Sequence, residues 1–289
     1  MNRYVTGQMV KSGYQRLRRE SLLVLCSKPP ARFILLTTLF SVLSLWIVGV
    51  LSLQAQFDMM IFEKRPPQAR SREELNAVLD IVQATDQKKI VPLCADFRRQ
   101  FPSSEFACQV YRMEMHAHKG LGDYQKMIEA GEKALELCSH DVDALLSLAN
   151  ALPNGVGDVA NGPVSVLDKA ERYARQALEE IDRLKAIRGV PLEKWRKLTG
   201  WMRSSAHEAL GFVAFKRGHY AESVAELEKS IGFNPEAGGA VFFRLGVAYL
   251  YDGRTLEAQV ALERSSQLGP EFIRVKAAEQ LAKFGNRLK

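Results

Sequence analysis

Two hydrophobic patterns divide this chain. From Phe33 to Leu53 the segment FILLTTLFSVLSLWIVGVLSL runs for 21 residues without a charged side chain. As a helix it would extend about 31 Å, the depth of a bilayer's hydrocarbon core. From Ser71 onward apolar residues instead recur at helical spacing, with polar residues between them and no strand-like alternation. The pattern predicts an all-α chain in which a single transmembrane helix precedes a helical domain. Its parts are a tail at 1–32, the span at 33–53, a linker at 54–70 and the helical domain at 71–289. Phe57, Met59, Met60, Ile61 and Phe62 place the start of the linker at the membrane interface, and Pro66-Pro67 stiffens its exit.

The helical region repeats itself. His207–Glu236, HEALGFVAFKRGHYAESVAELEKSIGFNPE, aligns at a spacing of 35 with Phe242–Glu271, FFRLGVAYLYDGRTLEAQVALERSSQLGPE. Leu210-Gly211 recurs as Leu245-Gly246, Gly218 as Gly253, Ser223 as Ala258, Ser230 as Ser265, and Pro235 as Pro270. An earlier copy, Tyr111–Leu137, carries the turn Gly122-Asp123-Tyr124 and the small Gly131 and Ala134, but has Glu114-Met115 at the Leu-Gly pair and Ser139 at the proline. Ser71–Phe101, followed by Pro102, reads as a degenerate first copy. A stretched copy lies between them and the last two. Its first helix holds Leu145, Leu148 and Ala149, its second Ala170, Tyr173, Ala174 and Ala177, and its loop from Pro153 to Pro163 is overlong. Trp195, Leu198 and Trp201, at helical spacing between Arg183 and Ser204, predict an extra or lengthened helix.

This pattern resembles the tetratricopeptide repeat, a helix-turn-helix unit of about 34 residues. The resemblance implies an α-solenoid of about five helix pairs, closed by a polar-faced capping helix, Ile273–Phe284. It also implies a concave side lined by the first helix of each pair. Projecting the register places Arg112, His116 and Lys119 there from one pair, Glu208, Phe212 and Phe215 from another, and Phe243, Val247 and Leu250 from the last. Basic and aromatic side chains in one groove suit an acidic, partly apolar peptide. The alternative is that the Trp195–Trp201 segment fills this groove. Some cytosolic members of the family clamp a C-terminal carboxylate with Lys and Asn. Here Asn150 falls at one such place, but Leu146 stands where the lysine would be, and Phe212 and Val247 where Asn would be.

The net charge of +7 belongs to the tail. Arg3, Lys11, Arg16, Arg18, Arg19, Lys28 and Arg32 against Glu20 give +6 there, leaving 33 basic and 32 acidic residues, or +1, in the rest. That distribution suits anionic lipid headgroups and a cytoplasmic tail, with the repeats on the exported side, and argues against a nucleic-acid partner. Lys64, Arg65, Arg70 and Arg72 follow the span closely and soften the asymmetry. A cleaved signal peptide competes with a retained anchor, but the 32-residue charged region and 21-residue apolar run exceed its usual form.

The four cysteines, Cys26, Cys94, Cys108 and Cys138, form no disulfide framework and no CxxC. Cys26 beside Leu22–Leu25 would be an acylation candidate in a eukaryote. Cys108 and Cys138 fall where antiparallel helices meet, so an oxidising compartment would allow a disulfide. A metal site with His140, short of a fourth ligand, and ordinary packing are the alternatives. No GxSxG, HExxH, GxGxxG or Walker-type loop occurs, and the Asn154–Gly162 loop lacks the lysine of a phosphate cradle. The expectation is a non-enzymatic, cofactor-free scaffold in a bacterial inner membrane, binding proteins or peptides on the periplasmic side. An organelle receptor with cytosolic repeats, or a regulatory subunit of an enzyme, is the alternative.

Overall fold

A computed structural model describes residues 66–155, 164–187 and 189–285 of the protein. The basic tail, the expected span at 33–53, most of the linker and the centre of the overlong loop lie outside them. Among the described residues no helix is long and apolar enough to cross a membrane.

Among the described residues there are eleven α-helices and no strand. They are α1 (Arg72–Gln83), α2 (Gln87–Gln100), α3 (Ala107–Leu121), α4 (Tyr124–Leu137), α5 (Val142–Ala151), α6 (Val164–Arg183), α7 (Leu192–Lys216), α8 (Tyr220–Phe233), α9 (Gly239–Tyr251), α10 (Thr255–Leu268) and α11 (Glu271–Gly285). Consecutive helices pack as five pairs, α1/α2 through α9/α10, and α11 lies on α9 and α10. Side-chain caps start several of them. Ser71 accepts from the Glu74 amide at 3.1 Å, Asp123 from Lys126 at 3.2 Å and Asp141 from Ala144 at 2.9 Å, each satisfying an orphan donor of a first turn. The turns inside three pairs need a left-handed residue, and Gly122, Gly218 and Gly253 supply it at φ of 78°, 78° and 81°.

The pairs close because one helix has no side chain where the other inserts a leucine. A Cβ on Gly211 would lie 2.7 Å from Leu227 Cγ, and one on Gly246 2.7 Å from Leu262 Cγ. Gly131 plays the same part on α4, where Met115 Sδ and Leu148 Cδ2 would each be 2.9 Å away. Hydroxyls tie the same crossings. Ser223 donates to the Gly211 carbonyl at 2.7 Å and Ser265 to the Gly239 carbonyl at 2.8 Å, so the small polar residues of the repeat are buried and satisfied.

Trp195, Leu198 and Trp201 belong to a lengthened helix, one of the two forms expected, and to no separate one. They lie in the first turns of the 25-residue α7, where Gly200 rests on the Phe233 carbonyl and Lys197 reaches Glu236, 3.9 Å away. The expected capping helix is present as α11, and its outer face carries Glu271, Arg274, Lys276 and Glu279 together with two apolar side chains. Ile273 and Ala277 pack inward, leaving Phe272 48% and Val275 51% exposed.

The glycine crossings set a clear expectation for Gly246→Leu. Overpacking against Leu262 should lower stability by about 1–3 kcal/mol, read as a lower melting temperature. An unchanged melting temperature would mean that α9 and α10 do not cross at this residue.

Candidate interaction face

The first helices of the pairs touch one another as well as their partners: α1 meets α3, α5 meets α7, α7 meets α9 and α9 meets α11. The second helices make no contacts of comparable extent with each other among the described residues. First helices therefore occupy the tighter, concave side, and their solvent-facing residues form its wall.

On α3 and α5 this wall is ionic. Arg112, expected in the groove, is buried and unavailable there. Its guanidinium holds Asp141 at 3.1 Å and lies 3.9 Å from Asp143. His116 does face the groove and meets Asp143 at 2.6 Å, with both side chains nearly half exposed. Burial works against the Asp143 charge, but the charges of His116, Arg112 and Lys119 and the His116 hydrogen bond overcome it, holding this carboxyl well below the usual carboxylate range. Burial raises the Asp141 carboxyl despite Arg112. Burial lowers the Lys119 ammonium, against the pull of the Asp143 and Glu208 charges.

On α7 and α9 the wall turns apolar. Phe212, Phe215, Phe243 and Val247, with Gly211, Leu227 and Arg244, line a pocket of about 90 Å³. Arg244 bonds Glu208 at 2.5 Å, and its guanidinium lies 4.6 Å from the centre of the Phe212 ring. Lys216 lies over the same ring at 5.5 Å. Phe215 is shared: it also meets Tyr220 at a tilt and Tyr251 edge-on, at 5.6 and 5.4 Å between ring centres, at the turn end of the pairs. Leu250 packs against the core formed by α8, α9 and α10 rather than opening to the groove. Asn150 spends its amide on the Leu146 carbonyl at 2.9 Å and on Ser205, whose carbonyl is 3.1 Å away, so it braces α5 against α7.

Of the nine expected groove residues, the structure gathers Phe212, Phe215, Phe243 and Val247 into the pocket and His116, Lys119 and Glu208 into the ionic part. It withdraws Arg112 and Leu250. Sequence reasoning missed Asp141, Asp143 and Arg244. The signal for the first two was Asp141-Val142-Asp143 at the start of a helix, where acidic side chains favour the positive end of the helix dipole.

Behind the ionic wall Cys108 and Cys138 are joined as a disulfide, with Cα atoms 6.1 Å apart. His140 instead bonds Glu180 at 2.8 Å. Cys94 is buried, and burial pushes its thiol up to about 12, so it is unreactive at neutral pH. Among the described residues no three His, Cys, Asp or Glu side chains gather as a metal site would need.

No family model matches the sequence, and no curated protein does. Solved structures do share features with it. One described as a thermophilic TPR protein in Thermus thermophilus is 17% identical, covers 72% of this chain and 99% of its own, and has a TM-score of 0.49. A MamA protein is 15% identical over 73% of this chain and 93% of its own, at 0.48. PilW, described as a widely conserved type IV pilus biogenesis factor, is 14% identical over 68% and 78%, at 0.47. Similarity at this level carries no argument about this protein, and its architecture rests on its own helix pairs.

Asp143 gives the ionic wall a pH signature. Its folded value lies below the unfolded one, so its stabilisation is complete above the unfolded carboxylate value of about 3.9 and is lost as pH falls through the folded value. Asp143→Asn should therefore melt below the wild type at pH 6, with the gap closing as the pH is lowered through the carboxylate range. A gap that stays constant down to strongly acid pH would remove the charge from this account.

Proposed function

We propose that this protein is a membrane-anchored scaffold which holds a protein or peptide partner on the concave face of its helical pairs, in the assembly or maintenance of a membrane or envelope complex. The observation that carries this reading is the apolar pocket between α7 and α9, set in a face made of successive first helices. A recess of about 90 Å³ lined by half-buried aromatic residues suits one apolar side chain of a partner, and is well below the size of a small-molecule site. The ionic wall changes the partner expected. His116 has Asp143 and Arg244 has Glu208, so two cations of the face are already paired with its own carboxylates. A partner anchored by an apolar side chain, with no need of an acidic run, suits this face better than the acidic peptide expected from the cations alone.

The tail and the 33–53 segment supply the anchor in this reading, with the tail cytoplasmic and the repeats exported. The Cys108–Cys138 bond supports that side, because disulfides persist in oxidising compartments and are rare in the cytosol. It weighs against the alternative of an organelle receptor with cytosolic repeats.

Replacing Phe212 and Phe243 together with Ala should weaken capture of the native partner at least tenfold, the scale of a hot-spot loss, while lowering the melting temperature only slightly. A large stability loss with capture unchanged would make both residues core. For the anchor, a C-terminal tag on the full chain should be digested by protease added to intact cells stripped of any outer barrier, and protected in sealed inverted vesicles until they are lysed. Digestion in inverted vesicles with the cytosolic face outward would contradict the exported placement.

A further inference from the structure

The contacts that tie α3 to the beginning of α5 lie on one stripe of α3. Cys108, Arg112 and His116 follow one another at four-residue intervals, so their side chains stand in a row along one helix face. Their partners follow in the same order along the chain. Cys108 is bonded to Cys138, the residue that ends α4. Arg112 holds Asp141, the cap of α5, at 3.1 Å, and His116 meets Asp143, in its first turn, at 2.6 Å. The turn between is also tied within itself. The Asp141 amide donates to the Cys138 carbonyl at 3.1 Å, and the Asp141 carboxylate accepts from the Ala144 amide at 2.9 Å.

The first of these three rungs is covalent, and the last reaches the concave face. We propose that the Cys108–Cys138 bond is a redox latch for the ionic half of that face: breaking it frees the α4–α5 turn, and with the turn goes the position of Asp143 opposite His116 and Lys119. As regulation of a binding site, it rests on reading the concave face as that site. Cys108 is buried and Cys138 is half-buried, so an external thiol approaches the bond from the Cys138 side. One thiolate of a dithiol attacks the Cys138 sulfur, the S–S bond breaks, and Cys108 leaves as a thiolate that takes up a proton. The second thiol of the reagent then displaces Cys138 as a thiol, and the reagent departs as its own disulfide, having supplied two electrons and two protons.

What remains after reduction is unequal. Arg112–Asp141, a single contact at 3.1 Å, and His116–Asp143, 44% and 45% exposed, are then the side-chain ties between α3 and the turn, without the covalent one that fixes where the turn begins. The apolar pocket on α7 and α9 draws on neither α3 nor the α4–α5 turn. The latch therefore loosens one half of the face and leaves the other in place.

Hydrogen exchange on the full chain in detergent, oxidised and after treatment with dithiothreitol, tests this without any partner. Amides from Ser139 to Leu146 should exchange at least tenfold faster on reduction, while those of α8, α9 and α10 keep their rates. The Cys108→Ser/Cys138→Ser variant should match the reduced chain, and if it does not fold, reduction of the folded wild type gives the same measurement. Equal rates at 139–146 in both states would overturn the latch. So would acceleration throughout the helices, which would make the bond a staple of the whole stack, or a thiol titration that finds no bond in the oxidised chain. A failed latch leaves the pocket reading standing, because the Phe212 and Phe243 replacements report on that separately.

Discussion

The close approach of paired helices at glycine is the constraint on which the rest depends. At Gly211 and Gly246 the leucine of the second helix occupies the space a Cβ would need, and the same contact recurs at Gly131. Each contact fixes how deeply one helix sinks into its partner. The buried serines then add hydrogen bonds that are made only at that depth. Pairs built to one depth stack in one way, so their first helices come to share a face. The pocket follows directly: Gly211 and Leu227, which make one crossing, also form its floor beneath Phe212 and Phe243.

The same geometry explains why the face has two halves. The α7 and α9 helices carry aromatic residues beside the glycine crossing, and the cations there lie over the Phe212 ring, drawn to its negative face. The α3 and α5 helices are joined through a short turn that brings Asp141 and Asp143 to the cations of α3. Charge in this region is therefore spent mainly inside the molecule. A partner would meet an ordered but nearly neutral surface leading to an apolar recess.

Much of this was legible in the sequence, for identifiable reasons. The Leu-Gly pairs, turn glycines and terminal prolines mark helix crossings and ends by residue type alone, so the pairing of α7 with α8 and of α9 with α10 could be read directly. Cys108 and Cys138 could be matched because the start and end of an antiparallel pair must lie together. Partner choice across a turn was not legible. Helical register places Arg112 on a face but does not reveal Asp141, 29 residues on, which takes it into the interior. The expectation of an acidic ligand likewise counted the cations of first helices without the carboxylates of the next ones. Trp195 and Trp201 marked a helix and left open whether it was separate or a lengthening of the next one, which the structure shows it to be.

Placing a photoreactive benzoylphenylalanine on either side of the stack, in the full chain within living cells, tests the concave-face account most directly. Phe212 and Val247, both half-buried, mark the pocket, while Leu256 and Val260, 77% and 67% exposed on the second helix α10, mark an apolar face more open to water. The account predicts one discrete adduct from Phe212 and Val247 and none of the same mass from Leu256 or Val260. The same adduct from the α10 positions alone would contradict it.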